Sequence, residues 1–247
     1  MATRSEIGHA KNVANFDVLI AFVLSKLAVF KPSKSSIQLP SLQNVSQNAK
    51  DAMKAVYDAF SVKSGAIAAR KVAFTPFSKL ITRVINSLES TDTSSVVDDQ
   101  ARTIVRKLQG TRATPKKTAE EKKALEAEGK EVNEKSNSQL GFDNRIANFD
   151  KLISMLAAIP LYVPNEPELQ VTGLTTHYND LKELNDAVVS TKRSYDNAML
   201  LRQQVLYQEN SGLVDLALDT KSYIRSLFGA SSPQYKQISK LRFTVIK

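Results

Sequence analysis

The chain of 247 residues contains no cysteine and only two histidines. Without cysteine, disulfides, thiolate metal sites and cysteine nucleophiles are excluded. His9 and His177 lack the partners that a zinc site with three or four ligands needs. We therefore interpret both histidines as solvent-facing or partly packed side chains, and we expect no metal ion and no cofactor.

Glycine and proline are scarce, with eight residues each, and they cluster between apolar runs. The glycines form neither a phosphate-binding loop of the G-x-G-x-x-G or Walker type nor a G-x-S-x-G nucleophile turn. No set of nucleophile, base and orienting residue is apparent either. The pattern predicts a helical protein without catalytic residues, and an enzyme with an unrecognised site is the least favoured alternative.

No apolar run is long enough and free enough of charge to cross a bilayer. The run from Val18 to Phe30 follows a basic start, as in a secretory signal, but Lys26 interrupts it and no small-x-small cleavage site follows. A similar run recurs inside the chain at 152–163. We therefore expect a core helix here, no membrane insertion and a cytoplasmic location.

A five-residue sequence occurs twice, 133 residues apart, as Val13–Asp17 (VANFD) and Ile146–Asp150 (IANFD). Each copy opens an apolar run. Arg70 precedes Arg202 by 132 residues, and both lie near the end of a long helical pattern. Because these landmarks follow the same order in both halves, we interpret the chain as an internal duplication.

We interpret the repeated Asn-Phe-Asp sequence as a duplicated helix start. Asparagine caps the helix, phenylalanine anchors the core and aspartate complements the helix dipole. The residues concerned are Asn15, Phe16, Asp17, Asn148, Phe149 and Asp150. Two other roles stay open for the aspartates. They would hold a hard cation if a pseudo-two-fold axis brought them together, or each would pair with an arginine of its own half, such as Arg70 or Arg202.

Apolar residues at helical spacing predict an all-α fold with two tandem helical-bundle repeats of about four helices each, one of them long. The repeats cover 1–110 and 141–247, and a flexible, charged linker at 111–140 joins them. The second repeat is expected to end in a short strand or an extended tail near 241–246. The first helix and the long helix of each repeat are predicted at about 12–30, 41–74, 145–158 and 174–208.

The net charge of +9 is concentrated in the first repeat, which carries 15 Lys and Arg against 8 Asp and Glu. An acidic partner such as nucleic acid is one implication. Several of these basic residues are spaced i, i+4, as a phosphate-binding helix face requires, although a merely solvated face is the commoner cause. The candidate patch consists of Lys50, Lys54, Arg70, Lys71, Lys79, Arg83, Arg102, Arg106 and Lys107.

Three stretches are distinctive: Ala10–Phe16 (AKNVANF), Arg106–Gly110 (RKLQG) and Ser232–Gln237 (SPQYKQ). In these stretches the chain resembles a group of uncharacterised, internally duplicated, all-helical proteins of Bacteroidota-type bacteria. The resemblance covers both halves, and the linker is the variable part. It implies a bacterial setting and a duplicated helical fold, and it implies no activity.

Together these patterns favour a non-enzymatic structural or interaction protein that binds a protein partner or associates with itself. The alternative is a nucleic-acid-associated protein that binds the phosphate backbone through the basic first repeat. An exposed apolar patch would favour a protein partner, and a continuous basic stripe would favour nucleic acid.

Overall fold

The computed structural model describes residues 8–111, 118–127 and 139–246. Helices form most of this part of the chain and no strand occurs in it, so the prediction of an all-α fold is confirmed. Within the same ranges, no helix is both long enough and apolar enough to cross a membrane. The helices are α1 (His9–Ser25), α2 (Leu39–Phe74), α3 (Phe77–Glu89), α4 (Ser95–Gln109), α5 (Ala119–Ala127), α6 (Phe142–Ala157), α7 (Val171–Tyr207), α8 (Leu213–Phe228) and α9 (Pro233–Ser239).

Two helices are unusually long: α2 has 36 residues and α7 has 37, which corresponds to about 54 Å at 1.5 Å per residue. Each of them contributes to two compact units. Unit 1 consists of Met1–Ser64 and Thr191–Lys247, and unit 2 consists of Gly65–Ser190. The units therefore follow different boundaries from the predicted repeats, because each unit combines parts of both halves. A helix of this length exceeds what one small core can cover, so its two ends lie in different cores.

The core of unit 1 joins α1 and the start of α2 to α8. Phe16 and Leu19 of α1, Leu42 of α2 and Leu213 of α8 are all fully buried in it. Apolar residues recur every three or four positions in α1, so one broad face of the helix is covered. Burial of each such side chain contributes about 1.5–3 kcal/mol, which makes this core the main source of stability in unit 1.

The core of unit 2 joins α3 and α4 to α6 and the start of α7. Phe77 of α3 and Phe149 of α6 meet edge to face, with ring centroids 4.9 Å apart. His177 of α7 lies against both rings, at 6.2 Å from Phe77 and 6.1 Å from Phe149. An aromatic cluster from both halves of the sequence therefore fills this core.

Several boundaries differ from the sequence-based expectation. Helix α1 begins at His9 and ends at Ser25, so it starts and ends earlier than predicted. At 211–228 the sequence predicts either two short helices or one fused helix, and the structure has the single helix α8. In the connector at 31–40 the sequence predicts an extended stretch at 36–39, whereas the structure has a 3₁₀ turn at Ser35–Ile37. The 241–246 segment belongs to no helix or strand, and the N–H and carbonyl of Thr244 both bind the amide of Asn12, as they do in an extended chain.

The sequence also predicts a helix C-cap at Gly110 and a helix start at Ser232, and both agree with the structure. Gly110 follows α4 with a left-handed φ of 72°, and its N–H donates to the carbonyl of Arg106. Ser232 precedes α9, and its hydroxyl accepts a hydrogen bond from the N–H of Tyr235 at 3.1 Å. Glycine accepts the left-handed conformation without strain and serine satisfies an exposed N–H, which is why these positions were readable from sequence.

The predicted linker at 111–140 lies largely outside the described residues. Within it, Ala119–Ala127 forms α5. The expected flexibility of this linker stays a prediction.

Candidate functional site

The asparagines of α1 do not cap the helix. Because α1 begins at His9, Asn12 and Asn15 lie inside it, and the prediction of Asn15 as N-cap is wrong. Asn148 likewise lies inside α6, which begins at Phe142. Asn12, Asn15 and Asn148 are all buried, so their amides need hydrogen-bond partners within the protein.

Asn12 binds the main chain of an extended segment. Its Oδ1 accepts a hydrogen bond from the N–H of Thr244 at 3.1 Å, and its Nδ2 donates to the carbonyl of the same residue at 2.7 Å. Nδ2 also donates to the hydroxyl of Tyr207 at 3.2 Å. The side-chain amide thus offers one donor and one acceptor to Thr244, as the main chain of a neighbouring β-strand would.

Three more side chains bind main-chain carbonyls of the same segment. Asn15 donates to the carbonyl of Arg242 at 2.7 Å. Gln203 of α7 donates to the carbonyl of Ile246 at 3.1 Å, and Lys221 of α8 donates to that of Leu241 at 2.8 Å. We call these four side chains, Asn12, Asn15, Gln203 and Lys221, the cradle.

Two side chains of the 241–246 segment add apolar contacts. Leu241 and Phe243 are partly buried and pack against the core of unit 1. Arg242, Thr244 and Val245 are exposed. Side chains of an extended chain alternate between two sides. Only the side chains at positions 241 and 243 therefore pack against unit 1, and those at 242 and 244 do not limit which segment can bind.

Burial changes the acid–base behaviour of the groups around the cradle. It lowers the pKa of Lys221, whose ammonium group has carbonyl partners at Leu241 and Ser239. It raises the pKa of Tyr207, whose hydroxyl lies 2.7 Å from Nδ1 of His9. Burial, and secondly the charge of Arg202, lowers the pKa of His9. The cradle therefore combines amide and ammonium donors that bind main-chain carbonyls.

The cradle was missed from sequence because asparagine is common both at helix starts and in polar binding faces. One pattern would have revealed it. Asn12 and Asn15 are three residues apart, so they share a face of α1, and that face also carries the apolar core residues Phe16 and Leu19. Two amides on a buried face require partners outside their own helix.

The matching positions of unit 2 have different contacts. Asn148 donates to Oε1 of Gln139 at 2.9 Å instead of to a main-chain carbonyl. The residue 133 positions after Asn12 is Arg145, whose guanidinium lies 5.0 Å from the ring centroid of Phe74. Burial lowers the pKa of Arg145. Only unit 1 therefore has the full set of amide and ammonium contacts to an extended segment among the described residues.

The expected arginine partner is wrong for Asp17. Its carboxylate pairs with Lys50 at 2.9 Å and accepts a hydrogen bond from the hydroxyl of Ser46. Asp150 of unit 2 is exposed and forms no ion pair with another described residue. Among the described residues, no group of three or more histidine, aspartate and glutamate side chains is placed to hold a metal ion.

The matched arginines are partly buried within different units. In unit 2, Arg70 donates to Oδ1 of Asn185 at 2.7 Å, and its guanidinium lies 3.9 Å from the ring centroid of Phe142. Nδ2 of Asn185 in turn donates to Asp143 at 2.7 Å. Arg202 belongs to unit 1, where its charge acts on His9. Arg70 therefore contacts an asparagine and an aromatic ring rather than its expected partner, Asp17.

The candidate basic patch is divided between the units. Only Lys50 and Lys54 belong to unit 1, and the other seven residues belong to unit 2. Unit 1 carries 17 Lys and Arg against 8 Asp and Glu, whereas unit 2 carries 17 against 17. The basic excess of the folded chain therefore lies in unit 1, away from most of the patch. Four patch residues also form ion pairs, which are Lys50–Asp17, Lys54–Asp58, Arg83–Glu168 and Arg102–Glu89.

No protein-family model, curated protein or solved structure matches the chain. The cradle and the charge distribution are therefore the features from which a function is inferred.

Proposed function

We propose that the chain is a non-enzymatic interaction protein whose unit 1 binds extended polypeptide segments in the cradle. One observation carries this proposal: four side chains from three helices make five hydrogen bonds to main-chain atoms of the 241–246 segment. Every polypeptide offers the same N–H and carbonyl groups, so binding of this kind does not depend on most of the side chains of the bound segment.

The 241–246 segment defines the kind of ligand that fits. An aliphatic residue and an aromatic residue two positions apart occupy the places of Leu241 and Phe243. A segment of a protein partner, or the same segment of a second copy, supplies this pattern. Each hydrogen bond contributes about 0.5–1.5 kcal/mol net, so the five bonds hold the resident segment by only a few kcal/mol. Such a segment opens locally without unfolding of the unit.

The test uses a variant in which the resident segment is released. Leu241→Asp combined with Phe243→Asp places charges at the two inward positions and vacates the cradle. A labelled peptide with the sequence of residues 239–247 is then titrated and followed by fluorescence anisotropy. We expect saturable binding to the released variant and weaker binding to the parent chain, whose own segment competes.

Matched asparagine substitutions show whether the cradle is responsible. Adding Asn12→Ala and Asn15→Ala to the released variant should weaken peptide binding at least tenfold, because three main-chain hydrogen bonds are lost. Adding Asn86→Ala and Asn144→Ala, at two exposed asparagines of unit 2, should leave binding unchanged. Equal binding by both combinations, or no binding by the released variant, would refute the proposed function.

The contacts also support the proposed duplication into two repeats. His9 lies 5.6 Å from Tyr207, and Phe142 lies 4.9 Å from Phe74, as ring centroid distances. Phe142 lies 133 residues after His9, and Phe74 lies 133 residues before Tyr207, so the two pairs occupy corresponding positions of the repeats. In each pair, the first helix of one repeat meets the end of the long helix of the other. A second pair of contacts with the same offset is Asn12–Tyr207 and Arg145–Phe74.

This matching supports repeats that exchange parts, so that each compact unit contains the first helix of one repeat and the short helices of the other.

Nucleic-acid binding through the candidate patch is less well supported, because most of that patch lies in unit 2, which has no net charge. An anisotropy titration with duplex DNA measures it directly. Tight binding at low salt that declines with added salt and is lost with Arg106→Gln and Lys107→Gln would favour that alternative.

A further inference from the structure

The solvent-facing side of α1 is apolar. Ala14, Val18, Ala21 and Leu24 follow at intervals of three or four residues, and all four are exposed. A helix on the surface of a folded unit usually presents polar residues to water on this side. Helix α1 is therefore apolar on the side facing the core and on much of the opposite side.

Two more exposed aliphatic residues, Leu27 and Val29, follow the end of α1. The exposed fractions are 54% for Val18, 48% for Leu24, 51% for Leu27 and 49% for Val29. We call Leu24, Lys26, Leu27, Val29 and Lys31 together the α1 tip. Three large aliphatic side chains and two lysines thus occur within eight residues.

The α1 tip is held in a fixed conformation. The N–H groups of Val29 and Phe30 both donate to the carbonyl of Lys26 at 3.0 Å. Phe30 is buried, and its ring meets that of Tyr223 edge to face at 5.2 Å. The N–H of Lys31 donates to the hydroxyl of Tyr223 at 3.3 Å. Because Phe30 anchors the turn, Leu27 and Val29 stay exposed instead of collapsing onto the core.

The charge around the α1 tip is positive. Neither Lys26 nor Lys31 forms an ion pair with another described residue, and unit 1 as a whole carries 17 basic against 8 acidic residues. A second copy of the same face would bring two strongly positive units together, which opposes self-association at this surface. Nucleic acid would satisfy the lysines, but phosphates gain nothing from exposed leucine and valine, and the α1 tip has no exposed aromatic side chain to stack on bases.

We propose that unit 1 docks on an anionic membrane surface through the α1 tip. Leu24, Leu27 and Val29 enter the boundary between head groups and acyl chains, where burial of aliphatic side chains is favourable. Lys26 and Lys31 lie beside them and bind the phosphates and carboxylates of anionic lipids. The protein lies on the bilayer and does not span it. This docking is independent of peptide binding in the cradle.

The test measures sedimentation of the full chain with vesicles. We expect binding to vesicles of equal parts phosphatidylcholine and phosphatidylserine, and little binding to phosphatidylcholine alone. The combination of Leu24→Gln, Leu27→Gln and Val29→Gln should weaken binding roughly a hundredfold, since three half-exposed aliphatic side chains no longer enter the interface. Lys26→Gln and Lys31→Gln should each weaken vesicle binding roughly fivefold. Added salt should also weaken vesicle binding, because it screens the lysine charges.

Unit 2 supplies the matched control. Leu161 and Val163 are 54% and 77% exposed and lie in the neutral unit, so Leu161→Gln with Val163→Gln should leave vesicle binding unchanged. Circular dichroism verifies that all variants keep their helix content. Because the chain has no cysteine, Ala28→Cys also allows one polarity-sensitive dye to be attached at the α1 tip, and its emission should shift to the blue on binding.

Three outcomes would overturn the proposal. The first is no sedimentation with phosphatidylserine vesicles at low salt. The second is binding that depends on the lysines but not on the three aliphatic residues, which would indicate adsorption by charge alone. The third is tighter binding to duplex DNA than to vesicles, with the same dependence on Lys26 and Lys31, which would assign the surface to nucleic acid instead.

Discussion

Replacement of Asn12 by alanine tests the most specific contact of the cradle. Asn12 is 2% exposed, and its amide makes both a donor and an acceptor contact with the main chain of Thr244. Each hydrogen bond contributes about 0.5–1.5 kcal/mol, so Asn12→Ala should make local opening of the 241–246 segment easier by about 2 kcal/mol. The N–H of Thr244 loses its acceptor, and its hydrogen exchange should therefore become about thirtyfold faster.

Amide hydrogen exchange measured by NMR resolves this effect residue by residue. Asn15→Ala is the matched control, because Asn15 binds only the carbonyl of Arg242 and leaves the acceptor of the Thr244 N–H in place. It should accelerate exchange at Thr244 only several-fold, through general loosening of the segment. Unchanged exchange at Thr244 in Asn12→Ala, or equal acceleration in both variants, would show that Asn12 does not hold this main chain.

Three other predictions concern the cores. Phe16→Ala and Phe149→Ala should each lower the free energy of unfolding by about 3–5 kcal/mol in urea titrations. Phe60→Ala, at an exposed ring, should lower it much less. Similar losses at all three positions would contradict the assigned cores. Burial lowers the pKa of His177 below 6.5, so the unfolded chain takes up this proton at higher pH than the folded chain and stability falls as the pH decreases below about 6.5. His177→Phe should reduce this loss, and a pH dependence of stability identical to that of the parent chain would contradict the prediction. Burial raises the pKa of Tyr162 to about 12 and also raises that of Tyr207, so the late-titrating phenol signal in an ultraviolet titration should decrease by one tyrosine in Tyr162→Phe.

The sequence predicted helices well because their physical causes are local. The long helices were predicted within about three residues of α2 and α7, since apolar spacing and flanking prolines depend only on neighbouring residues. Gly110 and Ser232 marked a helix end and a helix start for the same reason. The burial of Phe16 and Phe149 follows from their places in apolar runs.

Which helices pack together was not predictable in the same way. Periodicity shows that α1 has an apolar face, but it does not show whether α8 or α3 covers that face. The partner depends on the course of α2 and α7, each long enough to contribute to two cores. A charge count over the two halves of the sequence therefore places the basic excess in residues 1–110, whereas a count over the two folded units places it in unit 1.

The functional residues were missed for a related reason. Asn15 was interpreted as an N-cap because asparagine favours that position, whereas its partner, the carbonyl of Arg242, lies 227 residues further along the chain. No local pattern specifies a partner at that distance. Lys221 and Gln203 gave no pattern at all, because a lysine or glutamine on a helix is usually solvated.

Binding of the main-chain groups of an extended segment by the side-chain donors and acceptor of the cradle is the central claim, and one NMR measurement tests it most directly. The released variant, Leu241→Asp with Phe243→Asp, is mixed with a ¹⁵N-labelled peptide of residues 239–247, and exchange of the peptide threonine N–H is followed. If the peptide occupies the place of the resident segment, that N–H donates to Asn12 and its exchange slows on binding, with no slowing when the variant also carries Asn12→Ala. A bound peptide whose threonine N–H exchanges at the rate of the unbound peptide, or a peptide that does not bind, would contradict the claim.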